Sequence, residues 1–578
     1  MKKLIYWLLI TPFLFGCSQK KEPSAYLYHV DALDKVLKER GVLRDDADTI
    51  RVARGESASI QVVVKAIEGI DQLTADVSEI TNGKVELKPQ QVGLVGYVKS
   101  SHRYSPPSVY MIHSPSNYYP DPIYTDTTVN LLPGELQPVW VTVPIPANCE
   151  AGIYTGKVLV SGMVDGRKVS YDKPFTIKVY PVTVNKPSLW VTNWMNFSPT
   201  ALAYMNNMEN VETFSDLYWN FVQQFATTVS KYGQNMHRIF PLWLTKYSLD
   251  EKGQYTFDFS NFDKEVSMFD KAGALDRIEG GAFGWRAGEW DEPYSVEVPV
   301  LDPQKLEKRS AGSNYLKDLD YNHGLDLVLL PLADKRSQNF YGQYLPALKK
   351  HLQEKGWYDR YVQHIGDEPI DANADSYIAI SKYIKQYMPE VKTIDALMAS
   401  KKLTGSVDIW IPLLDIFEKD YDFFMDLQKK GKEVWMYTCA PLRGDYANRY
   451  VELPLILTRY MHWVNYKYNA TGYLHWGLNF WSEYQMPIVE SGRHRGEIPG
   501  GDAFILYPGY HKLYSSIRFE AMRDGIFDYE LLRMLEKIDP EKAKSFANEI
   551  VPDFDRYDED IVYFRNTRKQ LLELLSQK

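Results

Sequence analysis

Near residue 187 the hydrophobic pattern of this 578-residue chain changes period, and that change restricts the fold to two unlike parts. From about Ala25 to Lys186, short apolar runs alternate with polar residues and are separated by turn formers. Ser57 to Lys65 (SASIQVVVK) and Val139 to Pro144 (VWVTVP) are examples. A period of two places one face of each strand in a core, so residues 25–187 are expected to form an all-β sandwich. Gly152 and Gly156 bound a further strand running to Val160, and Pro181 with Pro187 punctuates the exit.

Beyond residue 187 short apolar strands alternate with amphipathic helical stretches, the pattern of parallel βα units. Eight strands are expected: Leu189 to Phe197, Met236 to Leu244, Arg277 to Phe283, Tyr361 to Gly366, Val391 to Met398, Asp408 to Leu413, Glu433 to Thr438 and Gly472 to Phe480. Helices are expected over Val211 to Tyr232, Asp371 to Met388, Ile416 to Lys430, Leu453 to Tyr468 and Ser516 to Leu535. Eight units suit a closed (β/α)8 TIM-like barrel over residues 188–535 better than an open doubly wound sheet. The stretch from Gly284 to about Asn339 reads as a long loop over the active face, and residues 536–578 as packing helices.

The N-terminus reads as an address. Lys2 and Lys3 precede an apolar run too short to span a bilayer, and Leu14-Phe15-Gly16-Cys17 resembles a bacterial lipobox. Cleavage would make Cys17 a lipidated N-terminus after a 1–17 signal peptide, with residues 18–24 as a tether. The expected location is the outer membrane, on its periplasmic or cell-surface face, with membrane contact only through the anchor. Cys149 and Cys439 are then the remaining thiols, without disulfide or zinc spacing. A formal charge of -9 offers no basic surface for a polyphosphate backbone, so nucleic acid is not expected as a partner. The 42 Tyr and 14 Trp supply flat faces that suit sugar rings as well as cores.

Parallel α/β enzymes gather their chemistry at strand C-termini, so polar residues where an apolar run stops are the informative ones. His364-Ile365-Gly366-Asp367-Glu368-Pro369 is such a place. A near-identical string, Trp290-Asp291-Glu292-Pro293, follows no apolar strand and is set aside. Neighbouring strand residues point to opposite faces, so Asp367 and Glu368 cannot easily straddle a glycosidic bond as nucleophile and acid. A third option uses the substrate's own acetamido oxygen as nucleophile. Asp367 would then orient and stabilise the acetamido group, while Glu368 protonates the leaving oxygen and later activates water. Like charge should raise one of the two pKa values. Tyr437, near the end of the seventh strand, is the candidate to hold the acetamido carbonyl.

Ile365 to Pro369, the run His475-Trp476-Gly477-Leu478-Asn479, the string Gly501 to Gly509 (GDAFILYPG) and the helix Ser516 to Gly525 (SIRFEAMRDG) together resemble glycoside hydrolase family 123 over residues 188 to about 535. The resemblance implies a retaining, substrate-assisted β-N-acetylgalactosaminidase, cofactor-free, with Asp367 as acetamido stabiliser and Glu368 as general acid/base. The preceding sandwich looks like that family's accessory domain. Its substrate would be a glycan or glycolipid ending in β-linked N-acetylgalactosamine.

Trp476, Asn479 and Trp481, closing the eighth strand, are candidates for a sugar platform and a hydroxyl ligand, with core packing as the alternative for each Trp. Asn196 at the end of the first strand and Asp502 after a Gly-Gly turn are further candidates. His237 sits at the wrong strand end and reads as structural. Arg518 and Arg523 share a helix with Glu520 and Asp524 and read as structural ion pairs. His364 with the two acids matches no usual metal-ligand spacing, so no metal is expected. Three rivals stay open: a non-catalytic glycan-binding surface lipoprotein, a glycosidase with an enzyme nucleophile, and a β-N-acetylhexosaminidase of broader specificity.

Overall fold

The computed structural model describes residues 22–41, 43–46, 49–100, 107–300, 326–440, 442, 444–481 and 499–577. Cys17, the signal sequence and residues 18–21 of the tether lie outside the described residues. No helix among the described residues is long and apolar enough to cross a membrane.

The N-terminal part is all-β. One sheet orders Ala25–Val30, Ser57–Ala66, Leu136–Pro144, Gln91–Lys99 and Tyr118–Tyr124, every pairing antiparallel. The other is built on the long pair Gly152–Val164 and Arg167–Thr183, flanked by Thr49–Arg54 and Ile70–Val77. The alternation of β-branched residues explains the layering. Val62 and Val64 of the first sheet and Tyr154, Val158, Phe175 and Ile177 of the second are fully or almost fully buried in one shared core. Each such side chain contributes about 1.5–3 kcal/mol relative to exposure.

The second part contains eight parallel strand positions in the expected order, but they do not close into one ladder. Met236–Ile239, Arg277–Gly280, Tyr361–His364, Lys392–Ala396, Ile409–Ile411 and Glu433–Val434 form an open parallel sheet of six strands. Trp190–Asn193, Gly472–His475 and Met436–Tyr437 form a separate sheet of three. The seventh unit thus feeds both sheets, interrupted at Trp435, whose N–H still bonds the Trp410 carbonyl at 2.8 Å. The seam lies between Trp190–Asn193 and Met236–Ile239. There, side-chain amides take over from ladder bonds: Asn235 Oδ1 accepts from the Val191 N–H at 2.9 Å, and Gln234 Oε1 from the Asn193 N–H at 3.2 Å. The expectation of a closed barrel is corrected to two open parallel sheets.

The expected strands were too long at their C-terminal ends. Leu189 to Phe197 contracts to Trp190–Asn193, and Met236 to Leu244 to Met236–Ile239, followed by the short helix Pro241–Leu244. The expected helix Ile416 to Lys430 is two helices, Leu414–Lys419 and Tyr421–Lys429. The presumed loop from Gly284 to Asn339 is largely corrected. It contains an antiparallel sheet of Gly284–Arg286, Tyr294–Val300 and Asp326–Leu330, and then the start of helix Lys335–Glu354, capped by Asp334. The run YSVEVPV alternates over residues 294–300 and carries the signal for that strand.

Helices Leu455–Lys467 and Ile517–Glu536 run through the interior. A Cβ on Gly525 would meet the Arg459 carbonyl oxygen at 2.3 Å, so the close approach of these helices needs a glycine. Ser516 caps the second of them by accepting from the Phe519 N–H at 3.2 Å. Helices Pro540–Ile550 and Ile561–Ser576 complete the chain as packing helices.

Candidate active site

Strand Tyr361–His364 is buried throughout and lies between Arg277–Gly280 and Lys392–Ala396. The chain leaves it through Ile365 and Gly366. A Cβ at Gly366 would stand 2.6 Å from Cε1 of Tyr294, so glycine is what allows that ring to lie against the backbone. The Tyr294 hydroxyl donates to the Asp367 carbonyl at 2.6 Å. Arg286 Nη1 donates to the Tyr294 hydroxyl oxygen at 2.8 Å and to the Glu368 carbonyl at 3.3 Å. These contacts hold Glu368 at φ 46°, a left-handed conformation that non-glycine residues rarely adopt. The acids therefore sit on a bend beyond the strand, and the alternation of faces invoked from the sequence does not govern them.

Glu368 is where the electrostatics concentrate. Burial, and next the neighbouring Asp367 charge, push its carboxyl up to about 7, while a hydrogen bond from Tyr437 and the Arg286 cation pull the other way. Tyr437 belongs to Met436–Tyr437, bridged to Leu413 on one side and paired with Leu474 on the other. Its hydroxyl donates to Glu368 Oε1 at 2.7 Å. The residue expected to hold an acetamido carbonyl thus bonds the candidate acid. Burial, and next the Glu368 charge, raise its own pKa well above the usual tyrosine range, so it stays a donor.

Beneath the bend lies a buried charge cluster that sequence reasoning missed. His364 Nδ1 is 2.7 Å from Asp395 Oδ1, and its Nε2 is 2.7 Å from Glu279 Oε1. Burial alone would favour the neutral imidazole, but the two carboxylates outweigh it and raise His364 to about 9. Asp395 Oδ2 also accepts from the Ile365 N–H at 3.1 Å and from the Tyr377 hydroxyl, which ties the cluster to the backbone two residues before Asp367. Glu279 accepts from the Thr192 hydroxyl at 2.7 Å and from the Trp194 indole at 2.8 Å. The Arg238 guanidinium stacks 3.3 Å from the Trp194 ring centroid. A lone acid inside each of the apolar runs RIEGGAF and TIDALM was the available signal. Arg286 and Tyr294 stand in a hairpin whose surrounding sequence carries the pattern of a loop.

The remaining candidates separate into two groups. Asn196 and Asn479 engage each other. Asn479 Oδ1 accepts from the Asn196 N–H and its Nδ2 donates to the Asn196 carbonyl, both at 2.8 Å, while Asn196 Oδ1 accepts from the Ser198 N–H at 2.9 Å. Trp481 is fully buried, its indole donating to the Leu506 carbonyl at 2.8 Å, which is a core position rather than a platform. Trp476 remains partly exposed, and its indole donates to buried Asp502 at 2.9 Å. Burial, and next the charges of Asp502 and Glu368, raise the Cys439 thiol well above its usual range.

Arg518 forms a two-pronged pair with Asp121 at 2.9 and 2.7 Å, and Arg523 pairs with Glu520 and Asp524, so both serve structure as expected. His237, buried, pairs with Glu265 at 2.9 Å. The rejected string Trp290 to Pro293 forms the turn of the hairpin Gly284–Arg286/Tyr294–Val300, and Asp291 is exposed.

The Glycoside hydrolase 123 catalytic domain matches residues 194–535, and the Glycoside hydrolase 123 N-terminal domain matches residues 38–162. An all-β module joined to a parallel α/β domain, with acids where a strand ends, suits the glycoside hydrolase class that these family models define. With more than half its length matched by the catalytic-domain model, the chain belongs to glycoside hydrolase family 123. Among solved structures it is similar to a family 123 glycoside hydrolase from Clostridium perfringens described for glycolipid glycan hydrolysis. That likeness has a TM-score of 0.67 at 15% identity, covering 96% of this chain and 97% of that one, and it shows a shared fold. Weaker likenesses are an endo-β-1,4-mannanase from Thermotoga petrophila (13% identity, 60% and 77% covered, TM-score 0.34) and a GH20 exo-β-N-acetylglucosaminidase from Vibrio harveyi (8% identity, 90% and 99% covered, TM-score 0.26). No curated protein sequence matches the chain.

Proposed function

We propose that this glycosidase releases terminal β-linked N-acetylgalactosamine from a glycan or glycolipid, with retention, by substrate-assisted catalysis. The observation that carries the reading is Glu368, a carboxyl raised to about 7 beside a second carboxyl at the end of a parallel strand. Near neutral pH such a group is present in both protonation states, as a residue must be that acts first as acid and then as base.

In the first step the acetamido oxygen attacks the anomeric carbon. The glycosidic C–O bond breaks, and the Glu368 proton passes to the leaving oxygen. Asp367 stabilises the acetamido N–H as positive charge spreads over the oxazolinium ring. In the second step Glu368, now a carboxylate, takes a proton from water as its oxygen attacks the same carbon. The ring opens and the acid is restored. Two inversions give net retention. The eight parallel strand positions of the two open sheets serve as the scaffold for this chemistry, and Cys17 as the lipid anchor on the periplasmic or outer face of the outer membrane.

The test is a panel of aryl β-glycosides of N-acetylgalactosamine, N-acetylglucosamine and galactose, with a thiazoline analogue of the acetamido sugar as inhibitor. Turnover confined to the acetamido sugars with potent thiazoline inhibition is expected. Equal turnover of the plain galactoside would sink the substrate-assisted step, and preference for the glucosaminide would replace the sugar assignment.

A further inference from the structure

The rejected hairpin turn is fastened beside the acid pair. Asn373 Nδ2 donates to the Trp290 carbonyl at 3.1 Å, and the Tyr294 N–H donates to Ser376 at 2.9 Å. The Trp290 ring lies with its centroid 3.8 Å from the Arg286 guanidinium carbon, and that same guanidinium bonds the Glu368 carbonyl. Trp290 nevertheless keeps 51% of its surface in solvent, the largest such exposure of any Trp among the described residues. On the other flank the segment after strand Lys392–Ala396 presents Met398, 49% exposed. That segment is pinned to the same stretch of chain, with Ser400 donating to Asp371 at 2.6 Å and Lys402 to the Asp371 carbonyl at 3.2 Å. Two half-exposed apolar side chains thus stand on segments fastened to Asp371 and Asn373, one following each of the two strands that neighbour Tyr361–His364.

We propose that Trp290, backed by Arg286, with Met398 opposite, forms the subsite for the leaving group, and that its occupant is a neutral pyranose ring whose C–H face stacks on the indole. The inference rests on Glu368 as proton donor. Its proton goes to the leaving oxygen, so the leaving sugar must lie against the groups that surround Glu368. Arg286 holds the indole plane fixed, which limits the ordering required when a ring stacks on it.

Two substrates separate this subsite from the sugar-cleaving one: a disaccharide with terminal β-N-acetylgalactosamine and the methyl β-glycoside of the same sugar. Both leave as alcohols, so the ratio of their kcat/KM values reads contacts to the second ring. The wild type is expected to prefer the disaccharide by tenfold or more. Trp290→Ala is expected to shrink that preference at least tenfold, chiefly through KM, while Trp290→Phe retains most of it and Met398→Ala lowers it less. A preference unchanged within twofold in Trp290→Ala, or parallel loss of both substrates, would overturn the subsite. If the wild type releases a different sugar from the same two leaving groups, the sugar assignment fails, and the ratio measured with that sugar still decides the subsite.

Discussion

The Tyr437 hydroxyl donates to Glu368 Oε1 at 2.7 Å, joining the end of the seventh parallel strand to the bend that follows the fourth. A donor to a carboxylate favours its ionised form, so this bond restrains a pKa that burial and Asp367 drive upward. Tyr437→Phe removes the restraint. The basic limb of the kcat/KM profile, expected near pH 7 in the wild type because Glu368 must be protonated, should then move to higher pH, with kcat lower by about tenfold. A pH–rate series on an aryl glycoside reads both quantities. A limb that does not move would show that Tyr437 acts elsewhere, as on the acetamido carbonyl.

Glu368 also links activity to stability. Its folded pKa is raised above 4.5, so the stability it contributes is fully present below about pH 4.5 and lost as pH rises through about 7. Glu368→Gln should therefore melt higher than the wild type at pH 8 and show little gain at pH 4.5. Each pKa unit corresponds to about 1.4 kcal/mol, an upper bound for a side chain that retains some solvent contact. The same variant should lose ~10²–10⁴ in kcat/KM on a sugar leaving group. A variant destabilised at pH 8 would contradict the raised pKa.

Much of this architecture was legible because side-chain period reports burial. SASIQVVVK lies on strand Ser57–Ala66, and Gly366-Asp367-Glu368 stands just beyond strand Tyr361–His364. What could not be read depended on partners distant in sequence. Trp481 is placed in the core by the carbonyl of Leu506, and Asn479 is occupied by the backbone of Asn196, 283 residues away. The open seam arises because Gln234 and Asn235 substitute side-chain amides for ladder bonds, which a hydrophobic count does not register. Local pattern locates elements, whereas rim or core at a strand end is decided by tertiary neighbours.

His364 provides a test of the buried cluster. It is raised to about 9, so its contribution is complete below about pH 6.5 and lost as pH rises through 9. His364→Gln leaves Glu279 and Asp395 without their shared cation and should cost about 3–5 kcal/mol at pH 6. Denaturant unfolding at pH 6 and 9.5 should show the gap between wild type and variant narrowing at the higher pH. A gap independent of pH would mean that His364 is neutral and acts only through packing.

The two parts of the chain are docked through charge as well as apolar contact. Asp121 of strand Tyr118–Tyr124 pairs with Arg518 of helix Ile517–Glu536, both fully buried, and the same guanidinium donates to the Arg449 carbonyl at 2.6 Å and the Gly501 carbonyl at 2.8 Å. Asp121→Asn removes one partner of a buried pair and leaves the cation uncompensated, at a cost of about 3–5 kcal/mol. Arg518 also holds the carbonyl of Gly501, next to Asp502 with its bond to Trp476. The loss should therefore extend to the site, with KM raised more than kcat is lowered. Calorimetry is expected to show a single transition in the wild type and a separate, earlier transition for one part in the variant. A single transition at unchanged temperature would show that apolar contact alone holds the parts together.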